Sequence, residues 1–142
     1  MNYDEFVSKV QSYAELDSSE KALTVIEATL KTLNERISAP HRRHLMAQLP
    51  KEFKDFTIKQ KRVEYFSVEE FYKRVAARTE SSYHEAIKNA RAFMCVLQEA
   101  VARGEIEDIF QELREGWDEL LEAKPVIPMS RHTVDAHELY KK

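Results

Sequence analysis

The chain repeats itself. EFVSKV at residues 5–10 returns as EFYKRV at 70–75, an offset of 65. After a one-residue gap the offset is 64, and ALTVIEATLKTLNERI (22–37) falls on AIKNARAFMCVLQEAV (86–101). Ile26, Leu30, Leu33 and Ile37 then align with Ala90, Met94, Leu97 and Val101. The register holds further on, where HRRHLMAQLPKEFKDF (41–56) falls on EIEDIFQELREGWDEL (105–120). Leu45 matches Ile109, Met46 matches Phe110, Leu49 matches Leu113, Phe53 matches Trp117 and Phe56 matches Leu120. A unit whose apolar positions return in register builds the same local structure twice. Two copies are too few for a solenoid, which usually needs about three or more, so the expected arrangement is a pseudo-symmetric pair sharing one core.

That unit is helical. Only 2 glycines occur in 142 residues, against a usual share of about 7%. Strands joined by tight hairpins, and loops that cradle phosphate, draw on glycine for positive φ. Ser67-Val-Glu-Glu70 and Ser82-Tyr-His-Glu85 have the spacing of capping boxes. Asn2 with Glu5 and Asp17 with Glu20 repeat that spacing in the first copy. Pro40 suits the first turn of a third helix, with Gly104 at the matching point, and Pro50 suits the start of a fourth. Apolar spacings of three and four, as in Leu30–Leu33–Ile37 and Ile106–Ile109–Phe110–Leu113, fit amphipathic helices. Each repeat is therefore expected to hold a short helix, a long one of about five turns, and two short ones. The fold class is all-α: two homologous four-helix repeats packed as one pseudo-symmetric bundle.

A chain of 142 residues suits one domain, or two small halves sharing a core. The expected boundaries are a single domain over 1–122, with repeats at about 2–57 and 67–122 and a basic connector at 57–66. The tail 123–142 loses the core periodicity; Val126, Ile127 and Met129 are its apolar residues. No apolar run approaches the roughly 20 residues of a membrane span. The start MNYDEFVSKV is acidic and amphipathic, unlike a signal peptide. One cysteine excludes an internal disulfide framework and fits a reducing compartment. A cytoplasmic protein is the expectation.

MNYDEFVSKV, AQLPKEF (47–53) and FSVEEFYKRV (66–75) resemble a bacterial and cyanobacterial family catalogued as domain of unknown function 2267. The resemblance covers about residues 2–122. Its pattern runs from a short NYDEF-like helix through a long helix to a close like AQLPKEF. The second repeat departs there, with Arg114 where Pro50 stands in the first. The resemblance implies an all-helical fold and a bacterial or cyanobacterial source. It implies no activity, and it carries over no catalytic residues.

Candidate chemistry is sparse. His41 and His44 sit at i, i+3, so both imidazoles could face one metal ion. A closed site needs two more ligands, and Arg42 and Arg43 repel a cation. His132 and His137 lie in the tail. No metal site is expected. Cys95 flanks the stripe of Phe93, Met94 and Leu97, where Lys31 stands in the first repeat. Only Arg91, one turn earlier, could activate its thiol, so a small apolar filler is the simpler reading. No Gly-x-Ser-x-Gly, phosphate loop or HExxH occurs, and no catalytic residue or cofactor is assigned. An uncharacterised helical enzyme is one alternative reading.

The basic segment 42–62 raises another, nucleic acid or anionic lipid. Arg42, Arg43, Lys51, Lys54, Lys59, Lys61 and Arg62 lie among Phe53, Phe56, Tyr65 and Phe66, a mixture of phosphate neutralisers and rings. Against it, Phe53 and Phe56 have core counterparts in Trp117 and Leu120, and the acidic second half would repel a polyanion.

Charge separates the two copies. The net charge is −3, but residues 1–66 hold 11 Lys/Arg against 10 acids, and residues 67–142 hold 11 against 15. At equivalent positions His41, Arg43, His44, Lys51 and Lys54 face Glu105, Glu107, Asp108, Glu115 and Asp118. The faces could pair within one chain, pair between chains, or each dock a different partner. The opposing reading is drift, since solvated charges contribute little to stability. Complementary charge mainly sets orientation and association rate, so an interface also needs apolar anchors. Met46 and Phe110, or Val126 and Ile127 of the tail, are candidates. The expected function is a non-enzymatic adaptor or regulatory protein that binds a protein partner, or a second copy of itself. The candidate protein-binding residues are Arg42, Arg43, Lys51 and Lys54 on one face and Glu105, Glu107, Asp108, Glu115 and Asp118 on the other.

Overall fold

The computed structural model describes residues 1–60 and 62–123. The expected tail from residue 124 onward, with Val126, Ile127, Met129, His132 and His137, lies outside them. Among the described residues the chain is helical, with no strand. The first half holds α1 (Tyr3–Tyr13), α2 (Ser19–Arg36), α3 (Ala39–Ala47) and a 3₁₀ helix (Lys51–Phe56). The second holds α4 (Val68–Thr79), α5 (Tyr83–Ala100), α6 (Arg103–Leu113) and α7 (Asp118–Leu121). None of these helices is long and apolar enough to cross a membrane.

The caps fall where oxygen-bearing side chains precede the apolar periodicity. Asn2 Oδ1 accepts from the Glu5 amide at 2.8 Å, Ser67 Oγ from Glu70 at 3.2 Å and Ser82 Oγ from Glu85 at 3.0 Å. These satisfy amides that have no intrahelical acceptor. The start of α2 corrects the expectation. Ser18, not Asp17, is its cap, accepting from the Lys21 amide at 3.1 Å. Asp17 lies one residue outside the helix and takes the Lys21 ammonium at 3.1 Å. Two adjacent residues can both cap, and spacing alone does not choose between them.

The two 18-residue helices α2 and α5 pack on each other and carry most of the core. Within each half, α1 lies on α2 and α4 on α5; across the halves, α1 lies on α5 and α4 on α2. The 3₁₀ helix backs onto α2 as α7 backs onto α5, and α3 packs against α6. Each pairing thus has a counterpart in the other half. Phe6 meets Phe53 edge-on with ring centroids 5.2 Å apart, and Phe71 meets Trp117 in the same manner at 5.2 Å. Edge-to-face pairs of this kind add about 0.5–1.5 kcal/mol beyond the area they bury.

Candidate functional site

The oppositely charged segments come together along α3 and α6. These helices end-cap each other. The backbone N–H of Ser38, which opens α3, donates to Glu112 Oε2 of α6 at 2.8 Å. The backbone N–H of Ala102, which opens α6, donates to Gln48 Oε1 beyond the end of α3 at 2.7 Å. Neither Ser38 nor Ala102 supplies a side-chain cap of its own, so each helix takes its acceptor from the other. His41 Nδ1 meets Glu112 Oε1 at 2.5 Å, and His44 Nδ1 stands 3.7 Å from Glu105 Oε1. Part of the inverted set is therefore engaged inside the chain.

The nine candidate residues separate by burial. Arg42 is only 6% exposed. Its Nε donates to the Asn34 carbonyl at 2.9 Å, its Nη2 to Ile37 at 3.1 Å and its Nη1 to Gln60 at 2.7 Å. Arg42 thus leaves the exposed basic face expected for it, because the carbonyls at the end of α2 and in the connector need donors. Burial pulls its guanidinium below the usual arginine value, with Glu112 opposing. Glu105 is buried against the seam, with His44 Nδ1 3.7 Å away, so it too leaves the acidic face. Arg43, Lys51 and Lys54 are exposed, as are Glu107, Asp108, Glu115 and Asp118. Glu107 takes Arg103 at 3.3 Å. The other six have no ion-pair partner among the described residues.

Phe53 is fully buried and Phe56 half-buried, stacked on each other at 5.5 Å, so neither ring is free to stack on a base. In the connector, Gln60 gives its carbonyl to Arg42, and the Glu64 amide donates to the Glu35 carbonyl at 3.0 Å. Cys95 is 5% exposed rather than at an open flank. Burial pushes its thiol up to about 11, which fits the filler reading.

Sequence reasoning missed the charges that tie the halves together. Glu35, near the end of α2, takes Arg74 Nη1 at 3.1 Å and Arg78 Nη2 at 2.6 Å, both from α4. Glu99, its equivalent on α5, takes Lys9 Nζ at 3.0 Å and the Tyr13 hydroxyl at 2.8 Å, both from α1. Arg36 is buried beside Glu35, donating to the carbonyls of Phe66 at 3.1 Å and Leu113 at 3.3 Å. The signal was available: Glu35 and Glu99 keep their sign between copies, as do Lys9 and Arg74, whereas the outer face does not.

No match is found among curated proteins. The model of one family matches residues 3–120, and the chain belongs to that family, DUF2267, described as "Uncharacterized conserved protein".

Proposed function

We propose that the chain is a cytosolic, non-enzymatic protein-binding module made of two homologous repeats, at about 2–57 and 67–122. Its partner-reading charges are Arg43, Lys51 and Lys54 on the first repeat and Asp108, Glu115 and Asp118 on the second. One observation carries this reading: these six are exposed and without an ion-pair partner among the described residues, while His41, His44 and Glu105 of the same inverted set meet partners at the α3–α6 seam and Glu107 pairs with Arg103 within α6. The duplication itself is supported by the matched ring pairs Phe6–Phe53 and Phe71–Trp117.

The test is molar mass by light scattering at about 50 and about 500 mM salt, a range over which exposed charge pairs are progressively screened. Self-pairing predicts a dimer at low salt that dissociates at high salt and in Arg43→Glu/Lys51→Glu. Adding Asp108→Lys/Glu115→Lys to that variant should restore it. A monomer throughout assigns the faces to another protein. In that case, complexes purified from cells with identical composition for wild type and the Arg43→Glu/Lys51→Glu variant would refute the proposal.

A further inference from the structure

The second half contains a pair of tyrosines that the first half lacks. In the register of the two α1/α4 and α2/α5 pairs, Val7 stands where Tyr72 does, Ser19 where Tyr83 does, and Leu23 where Ile87 does. Tyr72 is 4% exposed, and the two rings meet edge-on with centroids 5.9 Å apart. The equivalent place in the first half is a groove of about 290 Å³ between α1 and α2, lined by Tyr3, Val7, Ser8, Gln11, Ser19 and Leu23. Asp4 and Glu20 border it, both exposed and without an ion-pair partner among the described residues. It is a groove of mixed polarity with an acidic rim, at a position that aromatic rings occupy in the other half.

The chain also carries a side chain of matching chemistry. Tyr65 is 78% exposed, twice the exposure of Met1 at 39% or Tyr83 at 40%. Its ring is braced by the Arg36 guanidinium, 5.2 Å from the centroid. Exposed Lys59 and Arg62 precede it in the connector. Rigid aromatics flanked by cations are common interface anchors. Arg36 closes α2, whereas the groove lies at residues 19–23 of the same helix, so the tyrosine and the groove are roughly 20–25 Å apart. A chain cannot fill its own groove with its own Tyr65.

We propose that a second copy of this chain seats Tyr65 in the Tyr3–Val7–Leu23 groove, with Arg62 and Lys59 against Asp4 and Glu20. Mutual exchange of the two tyrosines closes the pair as a twofold dimer. The proposal stands apart from the charged faces of α3 and α6 and rests on the alignment of the two halves. With one ring anchored on each side the dimer is weak.

Sedimentation equilibrium on the full chain, at concentrations up to the order of 1 mM, tests it. The wild type should dimerise, and Tyr65→Ala should weaken the dimer at least tenfold. Val7→Tyr with Ser19→Tyr, which writes the second half's residues into the first, should do the same by filling the groove. Should that variant fail to fold, Asp4→Lys/Glu20→Lys should abolish the dimer, and Lys59→Glu/Arg62→Glu added to it should restore it. Reversal of Arg43 and Lys51 dissolves a dimer through the charged faces but not this one. A wild type that stays monomeric overturns the proposal. So does a dimer that groove filling removes and Tyr65→Ala does not, since another segment then occupies the groove.

Discussion

Adjacent arginines give a sharp test of which charges are structural. Arg42 donates to three carbonyls while only 6% exposed, whereas Arg43 is open to water. Two of those carbonyls, of Asn34 and Ile37, belong to the last turn and cap of α2, where no intrahelical donor remains. Arg42→Met keeps an apolar stem and deletes all the donors. The Asn34 and Ile37 carbonyls are then left buried and unpaired, at about 1–3 kcal/mol each, while Gln60, which is exposed, turns to water. Removing a desolvated charge offsets part of this, so we expect a loss of about 3 kcal/mol. Arg42→Lys should lie between, since an ammonium cannot span the guanidinium's fork. Arg43→Met should stay within about 0.5 kcal/mol of wild type. Trp117 is the only tryptophan and is buried, so urea unfolding followed by its fluorescence reads all three. At a slope of about 2 kcal/mol/M the Arg42→Met midpoint should fall by about 1.5 M. Equal midpoints for Arg42→Met and Arg43→Met would refute the reasoning.

Further outcomes follow from other buried groups. Glu35→Gln should cost about 2 kcal/mol in urea unfolding, because it strips charge from a largely buried carboxylate that holds two arginines. Glu99→Gln should move the midpoint much less, since its side chain is 34% exposed and that of its partner Lys9 37%. A larger effect at Glu99 would reverse this assignment. Cys95 should resist thiol reagents at about pH 8 unless the chain unfolds, its thiol being pushed to about 11 by burial. The folded value lies above the unfolded one, so Cys95 contributes stability that is complete below the unfolded pKa, about 8.5, and is lost as pH rises through about 11. Cys95→Ala should therefore flatten the alkaline decline. Tyr72, pushed to about 12 by its own burial, should keep the later part of that decline. Rapid labelling of the native chain at pH 8 would refute the burial argument.

Helix content, caps and core were legible because each rests on local spacing. Three of the four expected caps fell on the expected residue, and Phe53 proved to be the ring equivalent to Trp117 in packing as in register. The site was less legible, because charge in a sequence carries no burial. Arg42 and Arg43 read alike until the end of α2 places its carbonyls over one of them. Glu105 and Glu107 differ by which side of α6 meets α3. The Glu35–Arg74–Arg78 cluster was harder to read for another reason. Its members lie 39 and 43 residues apart, and only the packing of α4 on α2 brings them together.

The contrast between inner and outer charges bears on why the surface is inverted at all. Where an ion pair joins the halves, both copies keep an acid on the long helix, Glu35 and Glu99, and a cation opposite it, Arg74 and Lys9. Where α3 and α6 cap each other, the oxygen is kept and the charge is not: Gln48 in one copy does for Ala102 what Glu112 in the other does for Ser38. A backbone N–H needs an acceptor, whether neutral or anionic, so sign is free to change there. Sign inversion along α3 and α6 is therefore permitted by the fold and is not in itself evidence of pairing. What folding leaves unexplained is an excess of one sign among exposed side chains without an ion-pair partner: Arg43, Lys51 and Lys54 outnumber Glu52 and Asp55 in the first half, and Asp108, Glu115 and Asp118 outnumber Arg114 in the second. A partner that reads the faces would favour such an excess, and reversing a single face should then disrupt that partner's binding while leaving the unfolding midpoint in place.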